Sequence, residues 1–330
     1  MSNVVVSLDK IKVNFNCDNE EILAQVQKDF GDFMTFSDEP SEEKLFTVNC
    51  HEMDSLKEES GGKVFYDKEP KDKHVNKVTI FDDSVDVQYH GENDYSSFCG
   101  YVLLNSMGKL FENSGYFILH SSCIEKDGEA IAFSGKKGAG KTQTLLNLLQ
   151  NGYNLVTNDK LAVRVGDNDE LVCVGFPTTV GIRMTNSFVS DEKNQPILRT
   201  LKQKHLEVLK AADSKNLADE SKKFFIHPRV ITNSYGQDIS PISNLVQIVN
   251  PTFNPEKEQF ESRPADLTEL IRSQREEAVS IEKPYLNNIE YTPFQIDMEE
   301  TIEKMADLEG NIVVEQGPGQ TSDLIDVLER

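Results

Sequence analysis

The residues Gly135-Lys136-Lys137-Gly138-Ala139-Gly140-Lys141-Thr142 follow the pattern G-x-x-x-x-G-K-[ST]. That spacing wraps backbone N–H groups around the phosphates of a nucleoside triphosphate. The glycines allow positive φ and close approach, so successive N–H groups can turn inward at the start of a helix. Lys141 would reach the β- and γ-phosphates, and Thr142 would offer its hydroxyl to Mg²⁺. Phosphoryl transfer further requires positive charge, a metal ligand and a group that positions or deprotonates the acceptor. Asp159, closing an apolar stretch, can ligate Mg²⁺ or accept a proton, and it can equally be a turn aspartate. His120, in the strand before the loop, can face the γ-phosphate or a metal, or be structural. Arg183 and Arg229 can clamp phosphate or an acidic group, or form surface ion pairs. Arg164 is a weaker candidate for the same role, because it lies in an alternating strand and can simply point to solvent.

These residues need a strand, a loop and a helix in that order. Ala130–Ser134 reads as the strand and Thr142–Gln150 as the buried helix, which ends near Asn151-Gly152. Asn154–Thr157 returns as a strand, and a unit of this length is expected to cross right-handed between parallel strands. Asn158 and Asp159 then emerge beside the loop. Upstream, Asp127-Gly128 turns a hairpin between Phe117–Ile124 and Ala130–Ser134.

A chain of 330 residues is long enough for two domains. Residues 1–95 read as a small α+β domain, with strands Asn3–Ser7, Lys10–Phe15, Val78–Phe81 and Val85–Tyr89 and a helix Glu20–Met34. Asp67–Asn76 reads as a surface loop and Asp82-Asp83 as a turn. Residues 96–330 read as the nucleotide domain, entered through a helix over Tyr95–Asn113. Further strands are expected at Leu161–Val165, Leu171–Val174, Phe224–Ile231 and Leu245–Val249, with a helical patch at Leu201–Ala212. Beyond Pro251 the chain reads as an acidic helical layer or lid, including Leu267–Val279 and Glu299–Leu308. The fold class is α/β, a mixed central sheet carrying the phosphate loop, preceded by the α+β domain.

The net charge of −22 opposes a polyanionic partner, so nucleic acid is not expected. Lys136, Lys137 and Lys141 still give the loop a local positive field. Five cysteines without a C-x-x-C pair indicate neither a zinc site nor a disulfide framework. The absence of a signal-like start or a bilayer-length apolar run points to no membrane partner and a cytoplasmic setting.

The run Leu119-His120-Ser121-Ser122-Cys123, with Asp127-Gly128, Phe133-Ser134-Gly135, Gly138 to Thr142, Gly152 to Val156 and Asn158-Asp159, resembles the catalytic core of the HPr kinase/phosphorylase family. The resemblance is clear over about residues 115–165, faint through 176–183 and 224–249, and absent in the N-terminal third. It is closer to the peptide-modifying subgroup that includes lasso-peptide kinases. It implies a core also similar to phosphoenolpyruvate carboxykinase, and ATP- and Mg²⁺-dependent phosphorylation of a serine hydroxyl in a peptide, a protein or a small acceptor. It also implies that Asp159 matches the second of two adjacent aspartates and His120 the histidine before the loop. Homo-oligomers occur among the HPr enzymes. Asn158 replaces the first aspartate; its carboxamide can ligate metal through oxygen but takes no proton. Two other readings follow: a nucleotide-dependent regulator with little transfer, and a kinase of a non-peptide small molecule.

Overall fold

The computed structural model describes residues 2–53, 61–67, 76–89, 96–136, 138–183, 186–200, 223–254, 256–278, 284–317 and 320–329. Lys137, the helical patch Leu201–Ala212 and most of the loop Asp67–Asn76 lie outside them. Packing divides the chain into two units, residues 1–117 with 279–298, and residues 118–278 with 299–330.

The first unit is built on a seven-stranded mixed sheet in the order β3-β1-β2-β4-β7-β6-β5. The strands are β1 (Ser2–Leu8), β2 (Ile11–Cys17), β3 (Thr35–Ser37), β4 (Phe46–Glu52), β5 (Lys63–Asp67), β6 (Asn76–Ile80) and β7 (Ser84–Tyr89). β2 shows the alternation of a sheet with one covered face: Ile11, Val13, Phe15 and Cys17 are buried and Lys12 is exposed. Helices α1 (Glu20–Phe30) and α2 (Ser96–Asn113) pack on each other and on this sheet. Asn19 starts α1 by accepting hydrogen bonds from the N–H groups of Glu21 and Ile22 at 3.0 and 3.3 Å. The helix stops at Phe30 rather than Met34 because the chain tightens there, with Phe33 N–H donating to the Phe30 carbonyl at 2.9 Å. Asp82-Asp83 does turn the chain between β6 and β7, and Asp83 pairs with Lys44 at 2.7 Å. Residues 284–298 also belong to this unit: Asn113 Nδ2 donates to the carbonyls of Ile289 and Tyr291, each at 3.0 Å.

The second unit holds β8 (Phe117–Lys126), β9 (Glu129–Ser134), helix α3 (Lys141–Leu149), β10 (Asn154–Thr157), β11 (Lys160–Val165), β12 (Leu171–Gly175), β13 (Val180–Arg183), β14 (Lys223–Ile226), β15 (Ile242–Phe253), β16 (Glu261–Pro264) and β17 (Ile312–Gln316). Asp127 and Gly128, at φ 56° and 88°, make the tight turn between β8 and β9. β8 pairs with β11, β11 with β12, β12 with β15, β15 with β9 and β9 with β8, so these pairings close into a ring. β9 and β10 both run antiparallel to β8 and are therefore parallel to each other, with β8 between them. The expected crossover thus spans one intervening strand.

Leu145, Leu146, Leu148 and Leu149 of α3 pack into a core with Ile124, Phe133, Leu155, Ile182, Ile231 and Leu324. Fully burying each such side chain contributes roughly 1.5–3 kcal/mol, so this face fixes the helix against the sheet. Three readings need correction. Phe224–Ile231 is not one strand: β14 ends at Ile226, His227 caps a new helix and Pro228 opens it, running to Tyr235. The segment beyond Pro251 is not wholly helical, because β16 and β17 join the central sheet and β17 lies parallel to β15. Arg164 does not face solvent; it is 6% exposed and donates to the Val165 carbonyl at 3.2 Å.

Candidate functional site

The loop begins where buried β9 ends. A Cβ on Gly135 would lie 3.1 Å from the carbonyl oxygen of Pro251 and 3.2 Å from Asn250 Oδ1, so β15 approaches the loop closely enough to favour glycine. Gly138 and Gly140 take φ of 92° and 90°, a left-handed backbone that side chains disfavour. Gly140 is the N-cap of α3 and has no side chain to satisfy the first N–H groups of the helix. That helix start is therefore suited to an anion. Ala139 N–H donates to the Lys136 carbonyl at 3.1 Å and Thr144 N–H to the Gly140 carbonyl at 2.9 Å, which close the turn. Lys136 is exposed, Thr142 half-buried, and Lys141 folds back so that Nζ donates to the Gly135 carbonyl.

Strand β8 connects this loop to Asp159. His120 Nε2 lies 3.2 Å from Asp159 Oδ1. The next residue, Ser121, donates its N–H to the Asp159 carbonyl at 3.1 Å, and Ser122 Oγ donates to the Lys141 carbonyl at 3.4 Å. Three consecutive residues thus hold both the turn at Asp159 and the start of α3. The His120 hydrogen bond keeps the Asp159 carboxyl below its ordinary range; burial opposes this, and the charges of His120, Lys160 and Lys141 add to it. Asp159 is therefore a carboxylate at neutral pH, within the field of Lys141. Asn158 precedes it, half-buried, with Oδ1 shielded from solvent and lacking a hydrogen-bond partner.

Among the described residues, no group of three or more His, Cys, Asp or Glu gathers to hold a metal. The Thr142 hydroxyl in the loop and the Asp159 carboxylate, which feels the charge of Lys141, are hard oxygens of the kind that suit Mg²⁺ completed by phosphate and water. Asn158 Oδ1, buried without a hydrogen-bond partner, is a hard oxygen of the same chemical kind.

The arginines are placed by other elements. Arg183 is exposed at the end of β13, directly opposite Lys223 of β14. β13 packs against α3. Arg229 is half-buried in the first turn of the helix Pro228–Tyr235, and its N–H donates to His227 Nδ1 at 3.2 Å. A cleft of about 550 Å³ lined by Glu258, Phe260, Gln320, Asp323 and Asp326 includes none of the loop residues.

Sequence reasoning missed the floor beneath the loop. Asn250 and Pro251 on β15 border Gly135, and Gln316 at the end of β17 borders Gly140. No motif marks them, because they reach the loop only through the pairing of β9, β15 and β17.

No family model matches the chain. It is 35% identical over 54 residues to proteins named HPr kinase/phosphorylase from Bacillus subtilis, Bacillus velezensis and Geobacillus kaustophilus. Each match covers 16% of this chain and spans only 17% of the relative's length. A solved structure described as the Hpr(Ser) kinase/phosphatase from Coxiella burnetii aligns at a TM-score of 0.30 with 10% identity, over 64% of this chain and 86% of that one. By sequence, the similarity to HPr kinase/phosphorylase is therefore confined to a short stretch of the chain.

Proposed function

We propose that the chain is an HPr kinase-like phosphotransferase that uses ATP and Mg²⁺ to phosphorylate a serine hydroxyl of a peptide, protein or small serine-like acceptor. The observation that carries this reading is the joining of Asp159 to His120 at 3.2 Å within the field of Lys141, at the start of α3. The loop Gly135–Thr142 binds the polyphosphate through backbone N–H groups, with Lys141 placed for the β- and γ-phosphates. The acceptor oxygen attacks the γ-phosphorus, the bond from that phosphorus to the β–γ bridging oxygen breaks, and ADP leaves. The hydroxyl proton passes to the Asp159 carboxylate, which His120 orients. Thr142, Asp159 and Asn158 would hold Mg²⁺, which neutralises charge on the β- and γ-phosphates when bound. Arg183 and Arg229 stabilise the transferred charge or select an acidic group on the acceptor. The net charge of −22 favours a neutral or basic acceptor peptide over nucleic acid. No helix among the described residues is long and apolar enough to cross a membrane.

A regulatory reading is favoured by one residue. Asn158 cannot take a proton where the resemblance expects an aspartate, so a protein that binds nucleotide with little transfer is the second candidate. Incubation with γ-labelled ATP and candidate seryl peptides or metabolites separates the two. The kinase reading predicts label on a seryl hydroxyl, reduced about 10²–10⁴-fold in a folded Asp159→Asn variant, the range for losing a positioned base. Nucleotide binding without transfer to any acceptor would favour the regulator.

A further inference from the structure

Gln316 closes β17 and is 5% exposed. Its backbone is fixed: it stands opposite Phe253 of β15, and its carbonyl accepts from Asn254 N–H at 3.0 Å. Its side chain runs to the phosphate loop. Nε2 donates to Thr144 Oγ1, on the first turn of α3, at 3.5 Å, and lies 3.5 Å from where a Cβ on Gly140 would stand. The other end of the carboxamide, Oε1, is buried without a hydrogen-bond partner. A buried carbonyl of that kind is unfavourable unless another state of the site satisfies it.

We propose that Gln316 is a positioning residue for the nucleotide, setting the loop's last glycine and the first turn of α3 for the bound polyphosphate. The proposal rests on the nucleotide reading above. A carboxamide suits this place because it is neutral and offers both a donor and an acceptor. In the orientation seen, Nε2 faces both Thr144 Oγ1 and Gly140, so its second N–H can donate to an anion held at the loop. A carboxylate there would repel the phosphates, and a thioether would fill the space without either function.

The test is calorimetric titration of Mg·ATP, and separately of Mg·tripolyphosphate, into the full chain and its Gln316→Glu and Gln316→Met variants, with thermal melts as a check on folding. Tripolyphosphate has no base or ribose, so an effect it shares with ATP lies at the loop. The expected result is Kd weakened about tenfold or more by Gln316→Glu and several-fold by Gln316→Met for both ligands, with KM for ATP rising more than kcat falls. A structural role alone would lower the melting temperature and leave the affinity of the folded fraction unchanged. Wild-type affinity in Gln316→Met would overturn the proposal even if Gln316→Glu fails to fold. If the wild-type chain itself bound neither ligand, the nucleotide reading would fall with it; binding that ignores Gln316 would sink this inference alone.

Discussion

His120 Nε2 and Asp159 Oδ1 lie 3.2 Å apart, while the residue after His120 holds the Asp159 backbone through its N–H. One strand therefore fixes both the position of the carboxylate and its acidity.

That contact sets a pH dependence. The His120 hydrogen bond is the leading cause of the lowered Asp159 pKa. His120→Ala should let that pKa rise, shifting the acid limb of kcat/KM to higher pH, because activity falls as the carboxylate protonates. Stability follows the same sign. A depressed folded pKa adds stability that is fully present above the unfolded value and is lost as pH falls through the folded one, here below about pH 4. Denaturant melts between pH 3 and 7 should therefore show a smaller acid-side loss in His120→Ala. An unmoved acid limb would contradict the coupling.

Gly138 has no heavy atom within 4 Å of a built Cβ, yet its φ is 92°. Gly138→Ala should therefore cost about 1–2 kcal/mol through backbone conformation alone, without a packing clash. Chemical denaturation measures it, and nucleotide affinity should fall with it as the loop relaxes. Gly152→Ala, at φ 91° and equally open, should show a similar stability loss with unchanged affinity.

The support beneath the loop has a separate weak point. Asn311 is 3% exposed; its Nδ2 donates to the carbonyls of Met305 and Ala306 at 2.8 and 3.1 Å, and its Oδ1 accepts from Ile248 N–H at 3.0 Å. It joins the end of the helix Met298–Ala306 to β15. Asn311→Ala leaves several buried backbone groups unpaired and should cost about 2–4 kcal/mol. Urea unfolding should show the lower midpoint, and a midpoint unchanged within error would contradict the pairing.

The part of the site that could be read from sequence is the part built by neighbours in sequence. The loop, α3, the turn at Asp127-Gly128 and the strand ending at Asn158-Asp159 each carry local signals of glycine spacing, apolar runs and turn residues. The charge of Lys141 contributes, after the His120 hydrogen bond, to holding the Asp159 carboxyl below its ordinary range. The support from β17 was not legible, because its parallel pairing with β15 brings together residues about sixty positions apart. Alternation alone leaves Arg164 free to point outward, but β11 is paired on both edges and buried from Leu161 to Arg164. The break at His227-Pro228 was visible as a capping pair, and the apolar run across it concealed the change from strand to helix.

The central claim, that the loop ending at Lys141 holds a polyphosphate beside Asp159, is tested most directly by calorimetric titration of Mg·ATP into the wild-type chain and a folded Lys141→Ala variant. Saturable heat in the wild type, with affinity weakened at least tenfold in Lys141→Ala, is the expected outcome for losing a charged phosphate contact. No heat from the wild type at millimolar Mg·ATP, or equal affinity in the two proteins, would contradict it.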